Sequence, residues 1–272
     1  MALRLALLCS DDAHHRYLTG LLRDRFSVTA VVVEPGHCQR VRRLRQHRWI
    51  DYAAFVYHHS RRRLFGLDRY RRRYFPRAVP LEERGAPAVK VRDINGPEVA
   101  ELLARMAPDV TIVIGTSVLA RRTLLAAGKA ILNVHGGYLP YYRGNHCIFF
   151  AMYEGRLDRV GSTIHFIDPG VDTGDIVERV VPPLYDNDTP ERVYCRAEMM
   201  AIHRLVELLA ALENGQPLPR ATQPRTGRTF RMRDRDPRHE IVFWTRWSVA
   251  RAKSTWRPWS GRSRLDRPGP QP

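Results

Sequence analysis

A strand–helix–strand opening constrains this chain more than any other feature. Residues 3–9 are apolar apart from Arg4, as befits a strand buried on both faces. Ser10-Asp11-Asp12 follows as a turn and helix start, and residues 14–25 place Tyr17, Leu18, Leu21 and Leu22 on one helical face. Residues 27–33 (Ser-Val-Thr-Ala-Val-Val-Val) form a second β-branched strand, ended by Glu34-Pro35-Gly36. Two such strands joined through one helix begin a parallel α/β sheet. No Gly-x-Gly-x-x-Gly follows the first strand, so a nicotinamide or flavin cofactor loses its usual support.

The pattern continues in the same sense. A short strand is expected within 87–92 and a helix over 97–106, with Val99, Leu102, Leu103 and Met106 as its apolar face. A buried strand at 109–114 ends in Gly115-Thr116-Ser117, before a short helix near 122–127. Then come a strand at 130–134, a helix near 146–154, a strand at 160–167 and a long helix over 190–213, opened by Thr189-Pro190-Glu191. The expected fold class is α/β, a mostly parallel sheet with helices on both faces. Residues 1–215 read as the catalytic domain. Residues 216–272 read as an irregular, basic, partly disordered extension, ending Pro268-Gly269-Pro270-Gln271-Pro272.

No run of 18 apolar residues is present, so no membrane span is expected. Met1–Cys9 resembles a short signal segment, but no small residue precedes Cys9 and acids follow at once; it reads as the first buried strand. Cys9, Cys38, Cys147 and Cys195 are far apart and form no C-x-x-C pair. Reduced thiols in a cytoplasm, and no metal, are therefore expected.

The net charge of +17 raises the question of nucleic acid. Its distribution answers it. Residues 39–77 carry 13 Arg and 2 acids, and residues 220–272 carry 14 Arg or Lys and 4 acids, leaving 18 basic and 22 acidic residues elsewhere. The body is near neutral, and the charge sits in an extension and in a basic, aromatic insertion expected over one sheet edge. An anionic small substrate or a solvated surface explains that better than nucleic acid.

The chemistry concentrates in 131–175. Asn133 and His135, two apart at a strand end, share a face. Gly136-Gly137 follows, and Asp172 lies in the turn Asp-Pro-Gly-Val-Asp-Thr-Gly after the next strand. A turn-capping Asn and a satisfied core His would explain the pair alone; the flanking glycines and the acidic loop favour a site. Two donors aimed at one point make an oxyanion site. A carboxylate beside His135 favours its imidazolium and fixes its orientation. No nucleophile elbow surrounds Ser117 or Ser162. The set suits direct attack of an amine on a carbonyl or formyl carbon.

Asn133-Val134-His135, Tyr138-Leu139-Pro140, Arg143-Gly144, Gly161-Ser162-Thr163-Ile164-His165-Phe166 and Asp172-Thr173-Gly174 closely resemble the folate-dependent formyltransferase family. The resemblance covers about residues 85–210 well and the first 35 more loosely. It implies a Rossmann-like formyltransferase fold, 10-formyltetrahydrofolate as co-substrate, and Asn133, His135 and Asp172 as the catalytic trio. It also implies that the folate ring lies between Gly115, Thr116, Ser117, Val118 and Leu119 on one side and Asp168, Gly170 and Val171 on the other, with His165 near that loop.

Departures from the family pattern fall at Gly136-Gly137 and at Asn145-His146-Cys147, where the acceptor would bind. They put Gly136, Gly137, Asn145 and Arg143 forward as substrate contacts. The expected acceptor is a small-molecule amine, foremost that of an amino sugar or specialised metabolite; a homodimer stays open. Methionyl-tRNA formyltransferase would need a further folded domain beyond 213. Formyltetrahydrofolate hydrolase usually has a regulatory domain ahead of the first strand. Glycinamide ribonucleotide would need a phosphate loop where Asp11 and Asp12 place two repelling acids. A non-catalytic relative is disfavoured by retention of the whole trio.

Overall fold

The structure is a computed structural model that describes residues 2–76, 88–224 and 226–252. β1 (Arg4–Cys9) is buried from Leu5 onward. α1 (Ala13–Arg25) returns the chain over one face, so that β2 (Ser27–Val33) pairs parallel to β1. Three helices follow: α2 (Gly36–Arg45), α3 (Trp49–Leu64) and α4 (Leu67–Tyr74). β3 (Ala88–Lys90) then lies beside β2. α5 (Pro97–Met106) carries the chain back across, and β4 (Val110–Ile114) joins the other side of β1.

α6 (Arg121–Ala126) leads to β5 (Ala130–His135), parallel to β4. β6 (Tyr142–Gly144) and α7 (Cys147–Tyr153) leave the sheet. β7 (Ser162–Phe166) returns antiparallel to β5, and β8 (Ile176–Val180) antiparallel to β7. α8 (Pro190–Glu213) starts where Thr189 accepts a hydrogen bond from the Arg192 amide at 3.3 Å and Pro190 takes the first turn.

The order of the seven-stranded sheet is β3-β2-β1-β4-β5-β7-β8. The winding reverses between β1 and β4, and in open α/β sheets that reversal leaves a crevice at the carboxyl ends of the strands. Side-chain alternation divides the core. α1 and α8 pack over Leu5, Leu7, Ile112, Leu132 and Val134. On the opposite face α5 packs over Ala6, Leu8, Val32 and Val113. Fully buried side chains such as Leu18 and Leu205 each contribute roughly 1.5–3 kcal/mol.

Two findings differ from the pattern read above. The insertion does not cover a sheet edge. Its described part, to residue 76, stands at the carboxyl ends of the strands, with α4 against α1 and α8 and α3 against the 3-10 turn Met232–Asp234. Beyond residue 216 the structure adds β9 (Arg228–Phe230), parallel to β6, and α9 (Pro237–Ala252). Phe243, Trp244 and Trp247 of α9 close a separate core with Phe149 and Phe150 of α7. The disorder expected at 268–272 falls outside the described residues, as do Pro87 and Arg77. No helix among the described residues is long and apolar enough to cross a membrane.

Candidate active site

The trio expected from sequence is brought together by two strand ends and one turn. β5 ends at Asn133 and His135, opposite His165 and Thr163 of β7. Asp172 arrives on the loop between β7 and β8 in a left-handed conformation, φ 53°, a strained state for a non-glycine residue and common at functional sites. Its Oδ1 accepts from Asn133 Nδ2 at 3.4 Å, and its Oδ2 accepts from the Gly144 amide at 2.8 Å and faces His135 Nδ1 at 3.4 Å. Asn133 Nδ2 also donates to His165 Nε2 at 3.0 Å, while His165 Nδ1 donates to the Phe166 carbonyl at 2.7 Å. Both amide hydrogens of Asn133 are therefore engaged. Donation to an oxyanion requires giving up the longer contact, that to Asp172.

His135 is buried, and both ring nitrogens face acceptors, Asp172 and, at 3.0 Å from Nε2, the Tyr142 carbonyl. Only the imidazolium would satisfy both. Burial nevertheless outweighs Asp172 and holds the pKa below its ordinary value of 6.5. The imidazolium expected from sequence is thus the minor form in the free site at neutral pH. For Asp172, burial alone would raise the pKa; His135, His165 and the Gly144 amide reverse it and hold the carboxyl below the usual range. The neighbouring donors decide that direction.

Gly137 explains how the ring reaches Tyr142. A Cβ there would lie 2.4 Å from His135 Nε2 and 2.8 Å from the Tyr142 carbonyl oxygen. Gly137 itself is not on the cleft wall; its carbonyl accepts from Thr163 Oγ1 at 2.7 Å. Arg143 is likewise turned away, donating to the Pro224 carbonyl at 3.2 Å. Gly136 and Asn145 do border the cleft.

That cleft encloses about 1600 Å³ at the strand ends, and the segments 115–119 and 167–172 both line it. Val118 and Val171 stand exposed there, 69% and 41%, amid backbone polar groups, a surface suited to a flat ring with a polar edge. The 115–119 loop is held from below. Buried Glu34 accepts from the Ser117 amide at 2.9 Å and from Arg42 at 2.6 Å, and Arg42 also reaches Ser117 Oγ.

The insertion gives the cleft a basic lining, with Arg42, Arg61, Arg62 and Arg71 bordering it. Arg62 and Arg71 lie 3.3 and 3.6 Å from Asp12, and Arg71 also pairs with Glu191. Asp11 and Asp12 therefore present little repulsion to an anion, because Asp12 is neutralised and Asp11 caps the Gly36 amide at 3.0 Å.

Two supports had no separate sequence signal. Gln223, beyond the last clear helix, donates to the carbonyls of Asp172 (3.3 Å) and Gly174. The pairing of β6 with β9 backs Tyr142 and Gly144. Glu198 did carry a signal, as an acid at helical spacing with the apolar Ala201, Ile202 and Leu205.

A family model described as formyl transferase matches residues 34–209. A methionyl-tRNA formyltransferase of Anaeromyxobacter dehalogenans is 34% identical over 137 residues, 50% of this chain and 44% of that protein. The chain thus spans less than half the length of that relative. A sugar N-formyltransferase from a Shewanella species superposes with a TM-score of 0.56 at 12% identity, covering 89% of this chain and 86% of that one. An N-formyltransferase from Helicobacter canadensis, in complex with folinic acid and dTDP-3-aminofucose, gives 0.53 at 14%, covering 91% and 81%. At such identities the likeness is one of fold.

Proposed function

This chain belongs to the formyl transferase family, and on that premise we propose that it moves a formyl group from 10-formyltetrahydrofolate to the amine of a small molecule, foremost an amino sugar or specialised metabolite. The observation that carries the reading is the convergence of Asn133 and His135 on one carboxylate, each 3.4 Å from Asp172, at a strand end beside a large cleft.

The donor's ring lies against Gly115, Thr116, Ser117, Val118 and Leu119 on one side and Asp168, Gly170 and Val171 on the other, which sets the formyl carbon near Asn133 and His135. The acceptor nitrogen attacks that carbon. Charge develops on the formyl oxygen, where Asn133, released from Asp172, and His135 donate to it. Asp172 keeps His135 oriented and favours its protonated form, against the burial that disfavours it. As the carbonyl pair returns, the carbon–N10 bond breaks, N10 takes a proton given up by the amine, and tetrahydrofolate leaves. No covalent enzyme intermediate is needed, so holding the two substrates in line supplies much of the rate. The paired arginines of the insertion suit an acceptor with an anionic handle, and Asn145 and Gly136 lie on its approach.

The test is direct. The protein is supplied with 10-formyltetrahydrofolate and a panel of amines that includes nucleotide-linked amino sugars, and release of tetrahydrofolate is followed with the mass gain of one formyl group. Consumption of the donor by water alone, with no amine modified, would replace this reading with a hydrolase. Formylation of charged initiator tRNA in preference to every small amine would replace the acceptor.

A further inference from the structure

One buried acid on the cleft is unused by the chemistry so far. Glu198 is 1% exposed yet borders the same cleft as Asn133 and His135. Ser162 Oγ donates to its Oε1 at 3.0 Å, and no other hydrogen bond or ion pair to it is found among the described residues. Arg71, whose charge bears on it, is paired with Asp12 and Glu191. A buried carboxyl with a single neutral donor is costly and does nothing for the core around it.

Its opening to the site depends on residue 136. A Cβ at Gly136 would lie 3.1 Å from Glu198 Oε1 and 2.9 Å from the Tyr194 ring. Glycine therefore leaves a gap beside His135, with Glu198 and Tyr194 at its back. Glu198 and Tyr194 reach the cleft from α8 and His14 from α1, with the Tyr194 hydroxyl 3.1 Å from His14 Nε2, while Gly115–Leu119 and the Asp172 loop reach it from the strand ends.

We propose that Glu198 is the acceptor-side carboxylate: it receives the incoming primary amine as its ammonium, through the gap left by Gly136, and takes the proton that must leave before the nitrogen attacks. The inference rests on the formyl-transfer reading above. The ammonium gives one proton to the carboxylate and becomes a neutral amine. Its lone pair forms the bond to the formyl carbon as the carbonyl pair moves to oxygen. When that pair returns, the carbon–N10 bond breaks and its electrons stay on N10, which takes the second proton lost by the amine. Glu198 then releases its proton to water.

The electrostatics are consistent. Burial pushes the Glu198 carboxyl from 4.5 up to about 7, opposed by the Ser162 hydrogen bond and by Arg71 of α4. Tyr194 and Cys195 of α8, both pushed up by burial, remain uncharged beside it, and Asp12 and His14 of α1 lie beyond Tyr194. A base of that strength suits proton transfer near neutral pH, whereas Asp172 is held too low and both its oxygens are occupied.

The experiment compares wild type with Glu198→Gln, which keeps the shape and the Ser162 contact, using 10-formyltetrahydrofolate and the best amine from the panel. In wild type, kcat/KM for the amine should rise through an apparent pKa near 7. In Glu198→Gln it should fall by about 10²-fold at neutral pH and recover toward about pH 9, as free amine accumulates. Donor affinity, read by fluorescence titration, should stay the same. Gly136→Ala, which fills the gap, should raise KM for the amine more than for the donor. An unchanged pH profile in Glu198→Gln, with kcat/KM within about twofold of wild type, overturns the role of Glu198 alone. A wild-type protein that formylates no amine overturns the underlying reading instead.

Discussion

At the scale of single residues, the site is a set of competing claims on a few protons. Asp172 is held by three donors, and removing it frees Asn133 and leaves His135 without its counter-charge. Asp172→Ala and His135→Ala should each lower turnover by at least about 10²-fold while circular dichroism stays native; near-wild-type turnover in either would sink the assigned roles. Glu198 makes a second prediction, about stability. Its folded pKa, about 7, lies above the 4.5 of an ordinary glutamate, so the folded state holds the proton more tightly. The associated stability is fully present below pH 4.5 and is lost as pH rises through about 7. For this buried group the loss is on the order of 3 kcal/mol. Urea unfolding at acidic and mildly alkaline pH should reveal that slope in wild type and remove it in Glu198→Gln. Equal slopes in both proteins would contradict the raised pKa.

Among the elements, legibility followed periodicity. α5 and α8 fall where the sequence puts them, because Val99 and Leu103 in one, and Ile202, Leu205 and Leu209 in the other, recur at helical spacing between clear starts. Asn133, His135 and Asp172 were legible because strand alternation and a Gly-rich turn announce them. α9 was not legible, since Ile241, Val242, Phe243 and Trp244 are contiguous and give no stripe; only the packing of Phe243 and Trp244 on α7 sorts them from Ile241, which is 67% exposed. Gln223 was illegible because its role lies in a contact 51 residues away in sequence. If α9 fastens α7, Phe243→Ala should cost about 3–5 kcal/mol, read as a lowered midpoint of chemical denaturation. A shift under about 1 kcal/mol would mean α9 merely rests on the surface.

For the whole molecule, the distribution of charge matters more than its sum. The net +17 looked peripheral in sequence, yet the insertion folds its arginines over the mouth of the cleft. Much of that charge is balanced locally, by Asp12, Glu34, Asp93 and Glu191. What remains should steer anionic acceptors. KM for an amine bearing a diphosphate should rise with added salt between about 0.05 and 0.5 M, while KM for an uncharged analogue stays flat. Parallel salt responses would assign the arginines to the solvated surface.

The clamp of Gln223 on the Asp172 loop, and of β9 on β6, also has a consequence in time. A ribosome delivers Asn133, His135 and Asp172 well before the segment that braces them. The nascent sheet can form around its hydrophobic layers while the Asp172 turn is still unbraced. Activity during synthesis should therefore lag behind burial of the core, and an interrupted translation product ending near residue 215 would be folded in outline but chemically silent.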